Sequence, residues 1–306
     1  MSPPAAAPRL SPPRVSCRNG SVDLLRLVAA SIVVLFHARA PGGLLMTPAV
    51  GIFTALVAYF AARSARPAAA RPVHVARRYL RPFAIWALIF VVLRSADAII
   101  SGENVGQTLL IWIPPAGTMH HLWFLPFAAV VAWLSPRLAA VLRAGPGGWL
   151  GPTLLLVAAT GWILLWDRAA PAQGLYVLGL YVPSALLGLM LAILPAEPGQ
   201  HVRAGAAFVL LGTCLSLTGI PASTQILVGL PIVAAVLAMP SPSDKLTLRL
   251  AELSLWIYLA HPLVMAILLR LTDLQLGSPL LGVLVLAVTA LVGRLQQSTR
   301  LFRLLT

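Results

Sequence analysis

The chain has 306 residues, of which 59% are hydrophobic and only 10% charged. A soluble domain carries about 25% charged residues, so this composition excludes a water-soluble globule of ordinary size. The net charge is +14; because the basic residues fall in short segments between apolar runs, it marks membrane orientation and not nucleic-acid binding.

Residues 1–19 are rich in Pro, Ala and Arg and are expected to form a disordered basic arm. The apolar run behind them is long enough to span and carries no clear cleavage site, so it reads as an uncleaved first span. Ten apolar runs follow in all: 21–40, 44–62, 82–100, 118–135, 150–166, 174–194, 204–220, 224–240, 251–270 and 279–297. Each approaches the roughly 20 residues that a bilayer-crossing helix needs. The runs are continuous and do not alternate, which favours helices over a lipid-facing barrel. The expected fold is an all-α polytopic membrane protein of about ten transmembrane helices. Residues 20–298 form its membrane domain and 299–306 a cytoplasmic tail. Pro48 and Gly51 interrupt the second run, and Pro221 makes the hairpin between the seventh and eighth tight. The stretch from Thr108 to Ile113 is too short to cross and, with Pro114 and Pro115 behind it, reads as a re-entrant or interfacial piece. Cys17 lies in the arm and Cys214 inside an apolar run, so no disulfide framework is expected.

The basic residues orient these spans. With the N-terminus inside, the inner segments hold Arg9, Arg14, Arg18, Arg63, Arg66, Arg71, Arg77, Arg78, Arg81, Arg137, Arg143, Arg203, Lys245, Arg249, Arg294, Arg300 and Arg303. The outer side keeps Arg39, Arg94, Arg168 and Arg270, and Arg26 falls within the first span. This asymmetry predicts an even number of spans with both termini in the cytoplasm. No internal repeat is visible, which weighs against an inverted-repeat transporter.

Polar residues within membrane spans are functional candidates by default. In the first span Asp23 and Arg26 are three apart, so they can pair on one helix face; a structural anchor at the helix end explains that pair equally well. Arg26 and His37 are eleven residues apart, close to three turns, so they share a face across a rise of about 16 Å. Ala30 and Val33 lie between them, giving an apolar corridor from an inner cation to an outer imidazole. The fourth span opens on Met119-His120-His121-Leu122-Trp123, which puts His121 at the outer level of His37. Adjacent histidines point to different faces and no third ligand is spaced to join them, so no metal is expected. In the ninth span Ser254, Tyr258 and His261 form one polar stripe. His261 falls near the middle of that span and, taken alone, reads as a residue bonded to a neighbouring helix. Pro262 frees the carbonyl of Tyr258 for one of these groups. The loop holding Arg63, Arg66, Arg71, His74, Arg77, Arg78 and Arg81 serves either topology and lipid headgroups or a phosphate site.

At these residues the chain resembles the acyltransferase-3 family of membrane acyltransferases. Asp23-Leu-Leu-Arg26-Leu-Val-Ala29, continuing to His37, is similar to the family's opening signature of a basic residue, ten residues and a histidine. His121-Leu-Trp-Phe-Leu125 resembles a second segment, and Tyr258, His261 and Pro262 match a late Tyr-x-x-His-Pro. Arg77-Arg78-Tyr-Leu-Arg81-Pro82 is similar to the basic segment before the third span. One departure is Phe53-Thr-Ala-Leu-Val-Ala58-Tyr59-Phe60, which lacks the Ser-Gly pair of the family's second span. That bears on close helix approach, and on donor or acceptor preference more than on reaction class.

The resemblance implies an O-acyltransferase that moves an acyl group, commonly acetyl, from cytoplasmic acyl-CoA to a hydroxyl of an envelope glycan. Acyl-CoA is then a co-substrate, and no permanently bound cofactor is expected. His37 is the expected catalytic residue, either as base or as carrier of the acyl group. Asp23, Arg26, His121, Trp123, Tyr258 and His261 are expected to support or line the site. Arg26, Arg77, Arg78 and Arg81 are expected to bind the donor. Expected partners are membrane lipid, acyl-CoA, the glycan acceptor, and polysaccharide biosynthesis or export proteins, in a bacterial inner membrane. A transporter or flippase, and a non-catalytic scaffold subunit of an export machine, are the alternatives from other classes.

Overall fold

The computed structural model describes residues 19–41, 45–64, 72–110, 121–144, 148–169, 179–195, 197, 199–220, 223–239, 244–299 and 305–306. Among the described residues all regular structure is helical, as continuous apolar runs require in a medium where each backbone must satisfy its own polar groups. In chain order the helices are α1 (Gly20–His37), α2 (Met46–Arg63), α3 (Pro72–Ser101), a short α4 (Val105–Leu110), α5 (Phe124–Ala144), α6 (Leu150–Ala169), α7 (Val182–Ile193), α8 (Gln200–Leu217), α9 (Gln225–Ala238), α10 (Lys245–Leu271) and α11 (Pro279–Gln296). Six of them, α1, α2, α3, α5, α10 and α11, are long and apolar enough to cross a membrane. The other four expected runs are also helical, as α6 to α9, without meeting that criterion among the described residues. The arm at 1–18, His120 and residues 111–113 of the short apolar piece lie outside the described residues.

Local chemistry sets the helix ends. Asn19 caps α1, its side chain accepting from the N–H of Ser21 at 3.0 Å and of Val22 at 3.4 Å, and Asp23 adds a negative charge to the first turn,. Asp244 caps α10 by accepting from the N–H of Thr247 at 2.6 Å. Two helices carry a wide turn in which the N–H reaches one residue further back than usual: Arg81 to Ala76 in α3 and Leu230 to Gln225 in α9. Each stands immediately before a proline, Pro82 or Pro231, which has no N–H to give and crowds the preceding turn.

α10 and α11 are antiparallel, tied by Trp256 Nε1 donating to the Thr289 carbonyl at 2.9 Å and Gln297 Nε2 to the Arg249 carbonyl at 2.8 Å. Gly282, near the start of α11, faces Leu35 and Ala40, and the Gly277 N–H donates to the Ala38 carbonyl at 2.9 Å. The end of α1 therefore lies beside the start of α11, and α1 runs parallel to α10. α2 and α7 cross closely at Gly188, where a Cβ would stand 2.3 Å from the Ala55 carbonyl oxygen. The close approach that the sequence of the second span leaves open is thus made by a glycine on α7 against the Ala55 backbone. α3 is largely exposed and is held by a few side chains. Trp86 packs beside Trp256 at 5.8 Å and donates its indole N–H to the Leu305 carbonyl at 3.0 Å. Further along, Asp97 pairs with Arg94 at 3.3 Å and with Arg270 of α10.

Candidate functional site

Three histidines converge at one level of the bundle. His37 occupies the last turn of α1, His261 lies on α10, and His121 sits in the turn that leads into α5. Ring centroids are 5.1 Å apart for His37 and His261, 5.7 Å for His121 and His261, and 6.4 Å for His37 and His121. His261 lies near the middle of α10, as expected, with ten helical residues beyond it, and packing sets it beside His37 in the last turn of α1. α10 begins at Lys245, six residues before its apolar run, because Asp244 caps a polar first turn. From there His261 is sixteen residues along, a rise of about 24 Å. His37 is seventeen residues from the start of the parallel α1, so the two meet.

His121 and Trp123 are also placed differently from the expectation that they open a membrane helix. Residues 121–123 form a turn and α5 starts at Phe124, running to Ala144. The Leu125 N–H donates to the Leu122 carbonyl at 3.1 Å, and Pro126 falls in the first helical turn, where its missing N–H costs nothing,. The turn is pinned by aromatic contacts. Trp123 stacks on the buried Tyr181 at 5.4 Å, and Phe90 of α3 meets His121 edge-on at 5.1 Å. Tyr258 lies 6.2 Å from His121 and 6.4 Å from His261 and is itself packed by Phe53 and Phe124.

Burial grades the cluster. His261 is fully buried, His121 is 6% exposed, and His37 is half-buried at the helix end. The ring of His261 is fixed by Nδ1, which lies 3.0 Å from the Ile257 carbonyl. A carbonyl only accepts, so Nδ1 carries the proton and Nε2 presents a lone pair. Nε2 is buried and has no hydrogen-bond partner among the described residues. The His261 ring thus serves the Ile257 carbonyl and also meets the Tyr258 carbonyl that Pro262 leaves without its helical donor. Ser254, the third member of the stripe, turns its hydroxyl back to the Ala251 carbonyl at 2.7 Å.

Asp23 and Arg26 pair at 3.8 Å, with the aspartate buried and the arginine partly exposed. The face between Arg26 and His37 is closed: Ala30 is 0% and Val33 2% exposed. These small side chains are packed into the bundle, so the corridor expected from their size is filled. Arg77, Arg78 and Arg81 are exposed on the first turns of α3, and the Arg78 guanidinium lies over the Tyr79 ring at 5.6 Å. They do not join the histidines; Arg81 precedes Phe90 by nine residues, about 14 Å of rise. Arg66 and Arg71 lie outside the described residues. Among the described residues no three His, Cys, Asp or Glu side chains are arranged to hold a metal ion.

Sequence reasoning passed over Trp86, Phe90 and Tyr181. The first two had a signal, since Pro82, Trp86 and Phe90 recur every four residues and form the buried stripe of α3. Tyr181 had none, because its partner Trp123 lies far away in the chain.

A bundle of apolar helices with three histidines gathered among aromatic rings is a multi-pass membrane protein with a candidate site between its helices. The model of the acyltransferase-3 family, described as an acyltransferase domain, matches residues 19–294. The chain belongs to this family and is a membrane acyltransferase. No curated protein and no solved structure gives a significant match.

Proposed function

We propose that this acyltransferase moves an acyl group, acetyl in the first instance, from cytoplasmic acyl-CoA to a hydroxyl of an extracytoplasmic glycan. An exopolysaccharide or a lipid-linked sugar is the acceptor, and a bacterial inner membrane is the setting. Ten spans with both termini inside complete the reading, supported by the distribution of basic residues. The observation that carries it is the histidine cluster, in which the least buried member, His37, stands at the end of α1.

His37 takes the proton of the acceptor hydroxyl. The hydroxyl oxygen attacks the thioester carbonyl, the C–S bond breaks, and an ester forms. CoA leaves as a thiolate and recovers the proton from the His37 imidazolium, so the ring ends neutral. Arg77, Arg78 and Arg81, exposed on α3, meet the phosphates of CoA, for which the guanidinium fork is suited. Arg26, held by Asp23, orients the donor on the inner side. Because Ala30 and Val33 close the straight path along α1, the thioester arm reaches the cluster beside α3, the least buried of the six long apolar helices. Trp123 and Phe90 hold the His121 wall against which the acceptor rests.

The test is transfer of labelled acetyl from acetyl-CoA to the glycan fraction of membranes that carry the protein. Label appearing in ester linkage, with release of CoA thiol, is the expected result. A transporter or scaffold would leave both at background.

A further inference from the structure

Resting on the reading of His37 as proton acceptor, we infer that His261 is the positioning residue that selects the tautomer of His37. A buried imidazole nitrogen that can only accept needs a donor, and leaving it without one is costly. Nε2 of His261 is such an atom: Nδ1 is committed to the Ile257 carbonyl at 3.0 Å, and Nε2 is buried without a partner among the described residues. The imidazole nearest that of His261 is His37's, 5.1 Å between centroids and inclined by 37°. A single N–H···N bond of about 2.9 Å joining two imidazoles head to head puts their centroids roughly 5 Å apart. The α1–α10 packing therefore brings the two rings to a spacing that such a bond has, and on this inference a turn of the His37 ring completes it. His37, half-buried in the last turn of its helix, is the least buried ring of the three. His121 and Tyr258 stand further from His261, at 5.7 and 6.4 Å between centroids.

The consequence is chemical. An N–H of His37 donated to His261 fixes the proton on that nitrogen and leaves the lone pair on the other one, turned toward the half-exposed side where a hydroxyl arrives. When His37 takes up the hydroxyl proton, the bond to His261 strengthens because its donor is now charged. His261 neither gains nor loses a proton in the cycle, since its own N–H stays on Ile257. It acts through His37 and not on substrate.

Two variants of similar size separate this role from packing. In His261→Gln the amide oxygen falls near the place of Nε2 and still accepts; in His261→Asn the shorter amide reaches only the place of Nδ1. Labelled acetyl-CoA and membranes bearing the native envelope glycan supply the assay, normalised to inserted protein. His261→Asn is expected to lower kcat about 10²-fold or more with the KM for acetyl-CoA unchanged, the scale on which general-base catalysis contributes. His261→Gln is expected to recover to within about tenfold of the parent. Equal loss in both variants, or a raised KM with kcat intact, overturns the inference and leaves His37 as base. Transfer that survives in His37→Ala overturns both.

Discussion

Replacing Gly188 by Ala puts a methyl group into the crossing of α2 and α7. The added Cβ would stand 2.3 Å from the Ala55 carbonyl oxygen and 2.5 Å from its Cα, where ordinary contact begins at 3.4 Å. Both neighbours are backbone atoms of a helix, so no side chain can rotate away, and the two helices must part by about 1 Å. Overpacking of this kind typically costs about 1–3 kcal/mol, and an unyielding neighbour places this site at the upper end. For a chain of this size that is a loss of about 4–5 °C in Tm. The displacement also reaches the site, because α2 carries Phe53, packed on Tyr258, and the residue before α7 is Tyr181, stacked on Trp123. Thermal unfolding of purified protein in detergent reads the effect, with Gly161→Ala as the control. A Cβ at Gly161 meets nothing within 4 Å, so that substitution should be neutral or stabilise by up to about 1 kcal/mol. Equal melting of the two variants would refute the close-crossing account.

Replacing Arg77, Arg78 and Arg81 together by Ala should raise the acyl-CoA KM with kcat little changed, each lost charged contact costing about 1.5–3 kcal/mol; unchanged donor affinity in a correctly inserted variant would leave these residues to topology alone. Cysteines introduced at Gly42 and Ala70 should label from opposite sides of the membrane, the first from outside, and labelling from one side would end the ten-span reading. His201, at the start of α8, is held below the usual imidazole value of 6.5 by burial and then by the charge of Arg63, against a smaller opposing contribution from the Leu191 carbonyl. The unfolded chain therefore takes up this proton first, so stability is full above about pH 6.5 and falls as pH drops below it. His201→Gln should flatten that part of the Tm-against-pH curve, and an unchanged slope would assign it to other groups.

What the sequence made legible was whatever a single helix decides. The apolar runs marked where helices form, and three-residue spacing paired Asp23 with Arg26, as found at 3.8 Å. Chain motifs also picked the three histidines that meet. Hidden were features that depend on two helices at once. Gly188 reads as any glycine until Ala55 is seen against it, and Tyr181 has no local reason to pin Trp123. That His261 meets His37 depends on where each helix starts, which hydropathy does not record; the polar turn from Lys245 is helical too. The corridor failed for a related reason, since small residues such as Ala30 and Val33 mark close packing as readily as open space.

The central claim is that His37 takes the hydroxyl proton, and His37→Ala tests it most directly. The variant should insert and fold, since it loses one half-buried ring at a helix end, and it should still bind acetyl-CoA. Transfer of labelled acetyl to envelope glycan, normalised to inserted protein, should fall by at least about 10²- to 10⁴-fold. Transfer near the parent level would contradict the account.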